Sequence, residues 1–291
     1  MTVGVLVMAY GTPRDRDDIE AYYTDIRRGR TPPPDLLADL VRRYDAIGGT
    51  FPLRAITDAQ IATLASELGP SYAVALGTKH SVPRIEDGVE TLAALGVSRI
   101  VGLVLAPHYS AFSVGEYAAR VVAAAGAVPV DVIESWHLLP AYVDFLDRAV
   151  GAALSTLPAG AEVVFTAHSL PERILAAGDP YPAQLRETAT AVAARHPGVP
   201  WSVGWQSAGR TPEPWLGPDV LEVLRERSRD GSPGVVVCAC GFVADHLEVA
   251  YDLDIEAASL AAQLELPFAR TASVNDDPTV MSALAALVAA R

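Results

Sequence analysis

The sequence predicts an α/β fold in two similar halves, each with about four strands of mostly parallel sheet flanked by helices. Short apolar, β-branched segments alternate with amphipathic stretches along the 291 residues. The eight apolar segments divide into two groups of four, without the regular repeat of a closed barrel. Hydrophobic residues make up 51% of the chain and charged residues 20%, which is enough for a large buried core.

The predicted elements follow from where each apolar or amphipathic segment begins and ends. The strands are residues 3–9, 72–76, 100–105, 130–133, 162–167, 201–204, 235–238 and 268–271. Helical stretches between and after them include residues 84–94, 114–125, 141–154, 181–195, 218–229, 243–264 and 278–290. The change from one half to the other falls near residues 136–140, where no low-complexity linker occurs, so we expect the halves to pack closely.

Composition and charge exclude several classes of function. The net charge of −13 disfavours nucleic-acid binding. No apolar run reaches the length of a membrane span, and residues 1–10 lack the basic start and cleavage site of a signal peptide. No phosphate-binding glycine motif appears, which disfavours nucleotide binding. We therefore predict a cytoplasmic protein.

Two cysteines, Cys238 and Cys240, stand one residue apart. Their number excludes a disulfide framework, and they supply too few ligands for a metal site. We interpret them as small buried residues at the end of a strand.

The ends of three predicted strands carry side chains suited to chemistry. Tyr10 follows the first strand, His108 follows the third, and His168 follows the fifth. Ligands of open α/β sheets bind beyond the carboxyl ends of the strands, so these residues are candidates. A single histidine is more often structural than catalytic, and spacing does not separate His108 from His168.

The segment GFVADHLEVAYDLDIE, which begins at Gly241, carries three carboxylates at four-residue intervals. On a helix, Glu248, Asp252 and Glu256 form one acidic column surrounded by apolar residues. A helix so apolar is expected to be buried, and buried carboxylates require a cation or a proton. The column is therefore a candidate path for a divalent cation, although a solvated acidic face is the simpler alternative.

Arginines cluster at residues 27–30 and 42–43 of an otherwise acidic chain. Guanidinium groups bind carboxylates or phosphates, so both clusters are candidate anion anchors. For residues 27–30 the alternative is a basic helix C-terminus favoured by the helix dipole. Loops rich in Pro and Trp, at residues 179–182 and at 204–207 with 212–218, either line an apolar pocket or act as rigid connectors.

Together these segments resemble the ferrochelatase family along nearly the whole chain. The resemblance rests on VMAYGTP, YYTDIRRGR, RRYDAIGG, APHYSAFSVGEY, FTAHSLPERI, GDPYPAQL, VGWQSAGRTPEPWLGPDV and GFVADHLEVAYDLDIE. It is closest to the Gram-positive type that inserts Fe(II) into coproporphyrin III to give coproheme in haem biosynthesis. It implies two Rossmann-like domains, residues 1–138 and 139–273, with the porphyrin between them. It also implies that the C-terminal helix, about 274–291, returns to the first domain.

The resemblance assigns a role to each candidate residue. His168 and Glu248 match the family's catalytic and metal-contacting pair, with Asp252 and Glu256 as a relay to the surface. Tyr10 matches an axial ligand of iron in the product. Porphyrin-contacting positions correspond to Tyr10, Arg27, Arg43, Tyr44, Phe51 and Tyr117. His80 is a possible secondary metal ligand.

Two departures from the family pattern limit the prediction. Phe51 stands where similar enzymes carry serine beside the propionates, and Cys238 and Cys240 replace a valine–proline type of pair. Because a [2Fe–2S] cluster needs four cysteines, we expect none, and no permanently bound cofactor. Fe(II) and the porphyrin are the expected substrates, and the chain is expected to be a monomer.

Three alternatives remain from sequence. One is a ferrochelatase acting on protoporphyrin, the second is a chelatase for zinc or cobalt, and the third is a non-catalytic porphyrin or haem carrier. The carrier would not need the acidic column.

Overall fold

The computed structural model describes residues 2–291, and all eight predicted strands are present. They are β1 (Val3–Ala9), β2 (Tyr72–Thr78), β3 (Ile100–Val104), β4 (Val130–Ile133), β5 (Glu162–His168), β6 (Trp201–Gln206), β7 (Val235–Cys238) and β8 (Phe268–Arg270). Strands β2, β5 and β6 run one or two residues further than predicted, because the polar residues at their ends still pair with a neighbouring strand.

The helices cover the sheets on both faces. They are α1 (Ile19–Ile26), α2 (Pro34–Ala46), α3 (Pro52–Leu68), α4 (Ile85–Ala94), α5 (Val114–Ala125), α6 (Pro140–Leu154), α7 (Arg173–Ala176), α8 (Tyr181–Ala193), α9 (Val220–Arg229), a π-helix (Val249–Ala257), α10 (Ala258–Gln263) and α11 (Pro278–Ala289). None of those in residues 2–291 is long and apolar enough to cross a bilayer.

Helices α1, α2, α3 and α7 are additional to the predicted set. Helix α7 has only four residues, too few to show a helical period. Helix α3 buries Thr57 and Gln60 beside Leu64, so polar residues occupy the face that an apolar pattern would mark.

The two sheets have the same topology, and every strand pair within them is parallel. Their strand orders are β2-β1-β3-β4 and β6-β5-β7-β8. In each sheet the second strand along the chain pairs on one side of the first strand, and the third strand pairs on its other side. This reversal opens a crevice at the carboxyl ends of β1 and β3, and a second at the ends of β5 and β7.

One apolar core joins the two halves. It contains Val5 and Leu103 from the first sheet, Phe165 from the second, Tyr142 from α6 and Leu284 from α11, all at most 1% exposed. Helix α11 packs against α3 and α6, so the C-terminal segment contacts the first half of the chain. The domain division at residues 138 and 139 falls between β4 and α6, and it remains a proposal.

The helix predicted over residues 243–264 is shorter and is not a uniform α-helix. It begins at Leu247 and continues as the π-helix and then α10. Backbone groups before it bond elsewhere: Val243 O accepts from Asn275 N at 2.8 Å, and Asp245 N donates to Asn275 Oδ1 at 2.8 Å. These bonds to a distant loop replace the first helical turn.

Candidate functional site

His168 is the last residue of β5 and so lies at the crevice that the carboxyl ends of β5 and β7 open, which is called the cleft below. Its Nδ1 lies 2.5 Å from the carbonyl oxygen of Ser169, and a carbonyl can only accept, so Nδ1 carries the proton. In the neutral ring Nε2 therefore presents its lone pair. That atom lies 3.7 Å from Glu248 Oε2, and about a third of each side chain is exposed.

A glycine brings these two residues together. The loop after β7 crosses β5 at Gly241, whose N–H donates to Thr166 O at 2.9 Å. A Cβ on Gly241 would stand 2.3 Å from the Cβ of Ala167, so only glycine allows this approach. The crossing places the segment that carries Glu248 beside the strand end that carries His168.

His246 is a second imidazole at this carboxylate, and it was not among the residues predicted from sequence. Its Nδ1 lies 2.9 Å from Ala244 O, and its Nε2 lies 3.8 Å from Glu248 Oε2. The available signal was a histidine two positions before the glutamate of the acidic segment. Both imidazoles thus turn Nε2 toward the same carboxylate oxygen.

Neighbouring groups keep the carboxyl of Glu248 ionised. Burial raises the pKa of this carboxyl, but the positive charge that His168 and His246 carry when protonated, together with the nearby Ser207, outweighs the effect of burial, so the pKa falls to about 2. Glu248 is therefore a fixed anion at neutral pH, in a cleft that favours cations.

The acidic column predicted from spacing is present, on a π-helix. Glu248 immediately precedes that helix, while Asp252 and Glu256 lie within it. Hydrogen bonds from residue i to i+5 widen each turn, and residues four apart still lie close to one face. Burial and the charge of Glu248 raise the pKa of Asp252 to about 7. Single π-turns inside α-helices are frequent at functional sites.

Ser207 supports the middle of the column and was not singled out from sequence. Its hydroxyl donates to Asp252 Oδ2 at 2.5 Å. Its backbone has a φ of 57°, which is strained for a residue other than glycine. The side chain is thus held at the end of β6 in an unusual conformation, toward the carboxylates.

The outer end of the column reaches the protein surface. Glu256 lines a shallow depression of about 330 Å³, together with Arg225, Ile255 and Ser259. The carboxylates therefore extend from a solvent-open depression at Glu256, past the buried Asp252, to the cleft at Glu248.

Tyr10 lies directly after β1, at the carboxyl end of the first sheet. Its side chain is 43% exposed, and its ring meets that of His80 edge-on with centroids 4.7 Å apart. The surrounding protein raises the pKa of the phenol strongly, and the charge of Glu248 raises it further. Tyr10 and Glu248 are therefore near enough to interact electrostatically. His80 is held by Asp25, whose Oδ2 lies 2.8 Å from His80 Nδ1.

Three more predicted ring-contacting residues lie in the first half of the chain. Tyr44 is buried, stacks on Phe51 at 4.5 Å, and has a pKa raised to about 12 by burial and, to a smaller extent, by Glu248. Tyr117 is also buried, with the Lys79 ammonium 5.4 Å above its ring. The rings of Tyr44 and Tyr117 are therefore packed against other residues of the protein.

The two predicted arginine anchors have different surroundings. Arg27 follows α1 with its guanidinium 5.8 Å from the ring of Tyr23, and its buried Nε has no hydrogen-bond partner. Arg43 reaches the acidic column, with Nη1 3.6 Å from Asp252 Oδ1. No hydrogen bond or ion pair within residues 2–291 joins Arg27 to His168 or Glu248.

The structure separates the two histidines that spacing left equivalent. His108 is 2% exposed, and its Nε2 lies 2.9 Å from Thr188 Oγ1. Burial and the neighbouring His137 lower its pKa to about 3, so it stays neutral. His108 is thus a core residue between the halves, and His168 is the one in the cleft.

Comparisons with known proteins agree with this arrangement. A family model described as Ferrochelatase matches residues 2–291. A coproporphyrin III ferrochelatase of Geobacillus thermodenitrificans (strain NG80-2) is 45% identical over 100% of this chain and 96% of its own. A coproporphyrin III ferrochelatase of Halalkalibacterium halodurans is 43% identical over 98% of this chain and 96% of its own.

Solved structures resemble the chain in fold. The sirohydrochlorin chelatase SirB from Bacillus subtilis subspecies spizizenii, in complex with cobalt, has a TM-score of 0.59 at 14% identity, covering 99% of this chain and 94% of that one. CbiX, described as the terminal enzyme for siroheme biosynthesis in denitrifying bacteria, has a TM-score of 0.59 at 16% identity, covering 99% and 98%. At such identities the likeness concerns the two-domain Rossmann-like fold.

Proposed function

The chain belongs to the ferrochelatase family, and on that premise we propose that it inserts Fe(II) into coproporphyrin III to give coproheme. The observation that carries the proposal is the placement of His168 Nε2 3.7 Å from the ionised Glu248, at the carboxyl end of β5. The name shared by relatives of similar length supports coproporphyrin III as the ring.

The reaction exchanges two pyrrole N–H protons for one Fe(II). The site must therefore deliver a dication to the ring and remove two protons from it. His168 suits proton transfer, because its Nε2 presents a lone pair that can accept a proton. Glu248 suits the metal, because its low pKa keeps it anionic when Fe(II) arrives.

The remaining predicted residues hold the ring or supply the metal. We assign Arg27 and Arg43 to the propionates, which guanidinium binds through paired hydrogen bonds. Tyr44, Phe51 and Tyr117 shape the wall of the ring site. Tyr10 is the proposed axial ligand of iron in the product.

Asp252 and Glu256 form the proposed metal path. It begins at the surface depression beside Glu256, and it ends at Glu248. Carboxylate oxygens bind divalent cations without the affinity of a closed cysteine or histidine site, which suits a metal in transit.

Anaerobic Fe(II) insertion, followed by absorbance, tests the proposal with coproporphyrin III and protoporphyrin IX side by side. We expect fast turnover on coproporphyrin III and a loss of about 100-fold in Glu248→Gln. Glu90→Gln, an exposed glutamate on α4, is the matched control and should retain the wild-type rate. Tight binding of both rings without turnover would instead indicate a carrier.

Separate outcomes test the single assignments. Full insertion by His168→Ala would remove that residue from the mechanism. Faster insertion of Zn²⁺ or Co²⁺ than of Fe(II) would favour a chelatase for another metal.

Three further properties stay predictions. They are the monomeric state, the cytoplasmic location and the lack of an iron–sulfur cluster. Both cysteines of the chain, Cys238 and Cys240, are buried. Sedimentation velocity would test the monomer, and iron and sulfide analysis of purified protein would test the cluster.

A further inference from the structure

Arg43 crosses from α2 to the π-helix and occupies the middle of the acidic column. Its Nε donates to Asp39 Oδ2 at 3.1 Å, its Nη1 lies 3.6 Å from Asp252 Oδ1, and its guanidinium stands 4.7 Å from the centre of the Tyr251 ring. Only 24% of the Arg43 side chain is exposed. The arginine is therefore packed across the domain interface beside a buried carboxylate.

Both oxygens of Asp252 are engaged in this arrangement. Oδ1 faces Arg43, and Oδ2 accepts the hydrogen bond from Ser207 at 2.5 Å. A divalent cation would meet the positive charge of Arg43 beside Oδ1 and a hydrogen-bonded Oδ2 at this point. The column is thus closed at its midpoint while Arg43 stays in place.

We propose that Arg43 is a plug that the porphyrin removes: a ring carboxylate draws the guanidinium away from Asp252 and so opens the column to the metal. This inference rests on the proposed function, in which Arg43 binds a propionate. The exchange replaces the 3.6 Å contact to Asp252, which is longer than a hydrogen bond, with a propionate that can accept two hydrogen bonds from the guanidinium.

The partners of Arg43 tolerate its departure. Asp39 keeps ion pairs with Arg42 and with Arg210, whose Nη2 lies 2.7 Å away. When Arg43 leaves, Asp252 loses its nearest positive charge while the negative charge of Glu248 remains close. Asp252 should therefore bind a metal cation more strongly. The porphyrin should therefore raise the affinity for the metal, and by linkage the metal should raise the affinity for the porphyrin.

Zn²⁺ titration of the porphyrin-free protein by calorimetry tests the plug without any insertion step. Arg43→Gln should lower the Zn²⁺ Kd about tenfold relative to wild type. Arg42→Gln is the matched control: it also removes one positive charge and one contact to Asp39, but Arg42 bonds to the Tyr251 hydroxyl rather than to Asp252. Equal Kd values for Arg43→Gln and wild type would overturn the proposal, as would an equal gain in both variants.

A second measurement uses wild-type protein and does not depend on the folding of a variant. Ni(II)-coproporphyrin III has an occupied, uncharged centre and free carboxylates, and its tetramethyl ester lacks the carboxylates. The free acid should lower the Zn²⁺ Kd about tenfold, and the ester should not. Equal Zn²⁺ Kd values with the free acid and with the ester would overturn the proposal that Arg43 is a plug. Fe(II) insertion by wild type is assayed separately, so a protein that inserts iron but shows no such difference keeps the proposed function alone.

Discussion

At the scale of the residue, Asp252 makes the stability of the fold fall as pH rises, which is the opposite of the usual effect of a carboxyl group. Burial and the charge of Glu248 raise its pKa from 3.8 to about 7, while Arg43 and Ser207 oppose the rise. Between these values the folded protein binds more protons than the unfolded chain. The contribution of Asp252 to the free energy of unfolding therefore falls as pH rises through this window.

Asp252→Asn removes that contribution. The stability of the variant relative to wild type should increase from about pH 4 to about pH 7, by on the order of 4 kcal/mol, and then stay level. Urea unfolding at a series of pH values measures it. Asp276→Asn, an exposed carboxylate, should show no such increase. A flat difference for Asp252→Asn would mean that its folded pKa is ordinary.

At the scale of the element, the crossing of β5 by the loop after β7 depends on Gly241. Gly241→Ala should destabilise the protein by about 1–3 kcal/mol, because the new methyl group overlaps Ala167. It should also lower insertion at least tenfold, since Ala167 precedes the proposed catalytic His168 and small displacements there are costly. Denaturant unfolding and Fe(II) insertion measure the two effects.

Gly151, within α6, provides a control at which alanine should have the opposite effect on stability. A Cβ there would meet only His196 Cε1, at 3.6 Å. Gly151→Ala should therefore stabilise the helix by about 0.5–1 kcal/mol and leave insertion unchanged. If both alanine variants behaved alike, close approach at Gly241 would not be the cause.

At the scale of the whole molecule, the shared core predicts that both halves unfold together. Leu284 of α11 is fully buried in a cluster that contains strands of both sheets. Leu284→Ala should cost about 2–5 kcal/mol and shift one common transition. Tryptophan fluorescence and far-UV circular dichroism should give coincident unfolding curves.

Ala286→Ser, on the exposed face of α11, should have little effect. Two separated transitions in wild-type protein would show that the halves are independent. In that case the proposed return of α11 to the first domain would add no cooperativity.

Much of the fold and part of the site were predictable from sequence alone. The eight strands, the parallel sheets and the family were predicted and are confirmed, and the acidic spacing at Glu248, Asp252 and Glu256 marked a true column. These features depend on local properties, namely side-chain period, β-branching and residue spacing, which any stretch of sequence displays by itself. The predicted roles of the site residues remain proposals.

Other features were decided only by the tertiary structure. It placed His108 in the core and His168 in the cleft, turned His246 and Ser207 toward the carboxylates, and set Arg43 against Asp252. Each of these depends on a distance between atoms from different elements or loops. Such distances follow from how the sheets, helices and loops pack against one another, which local sequence patterns do not encode.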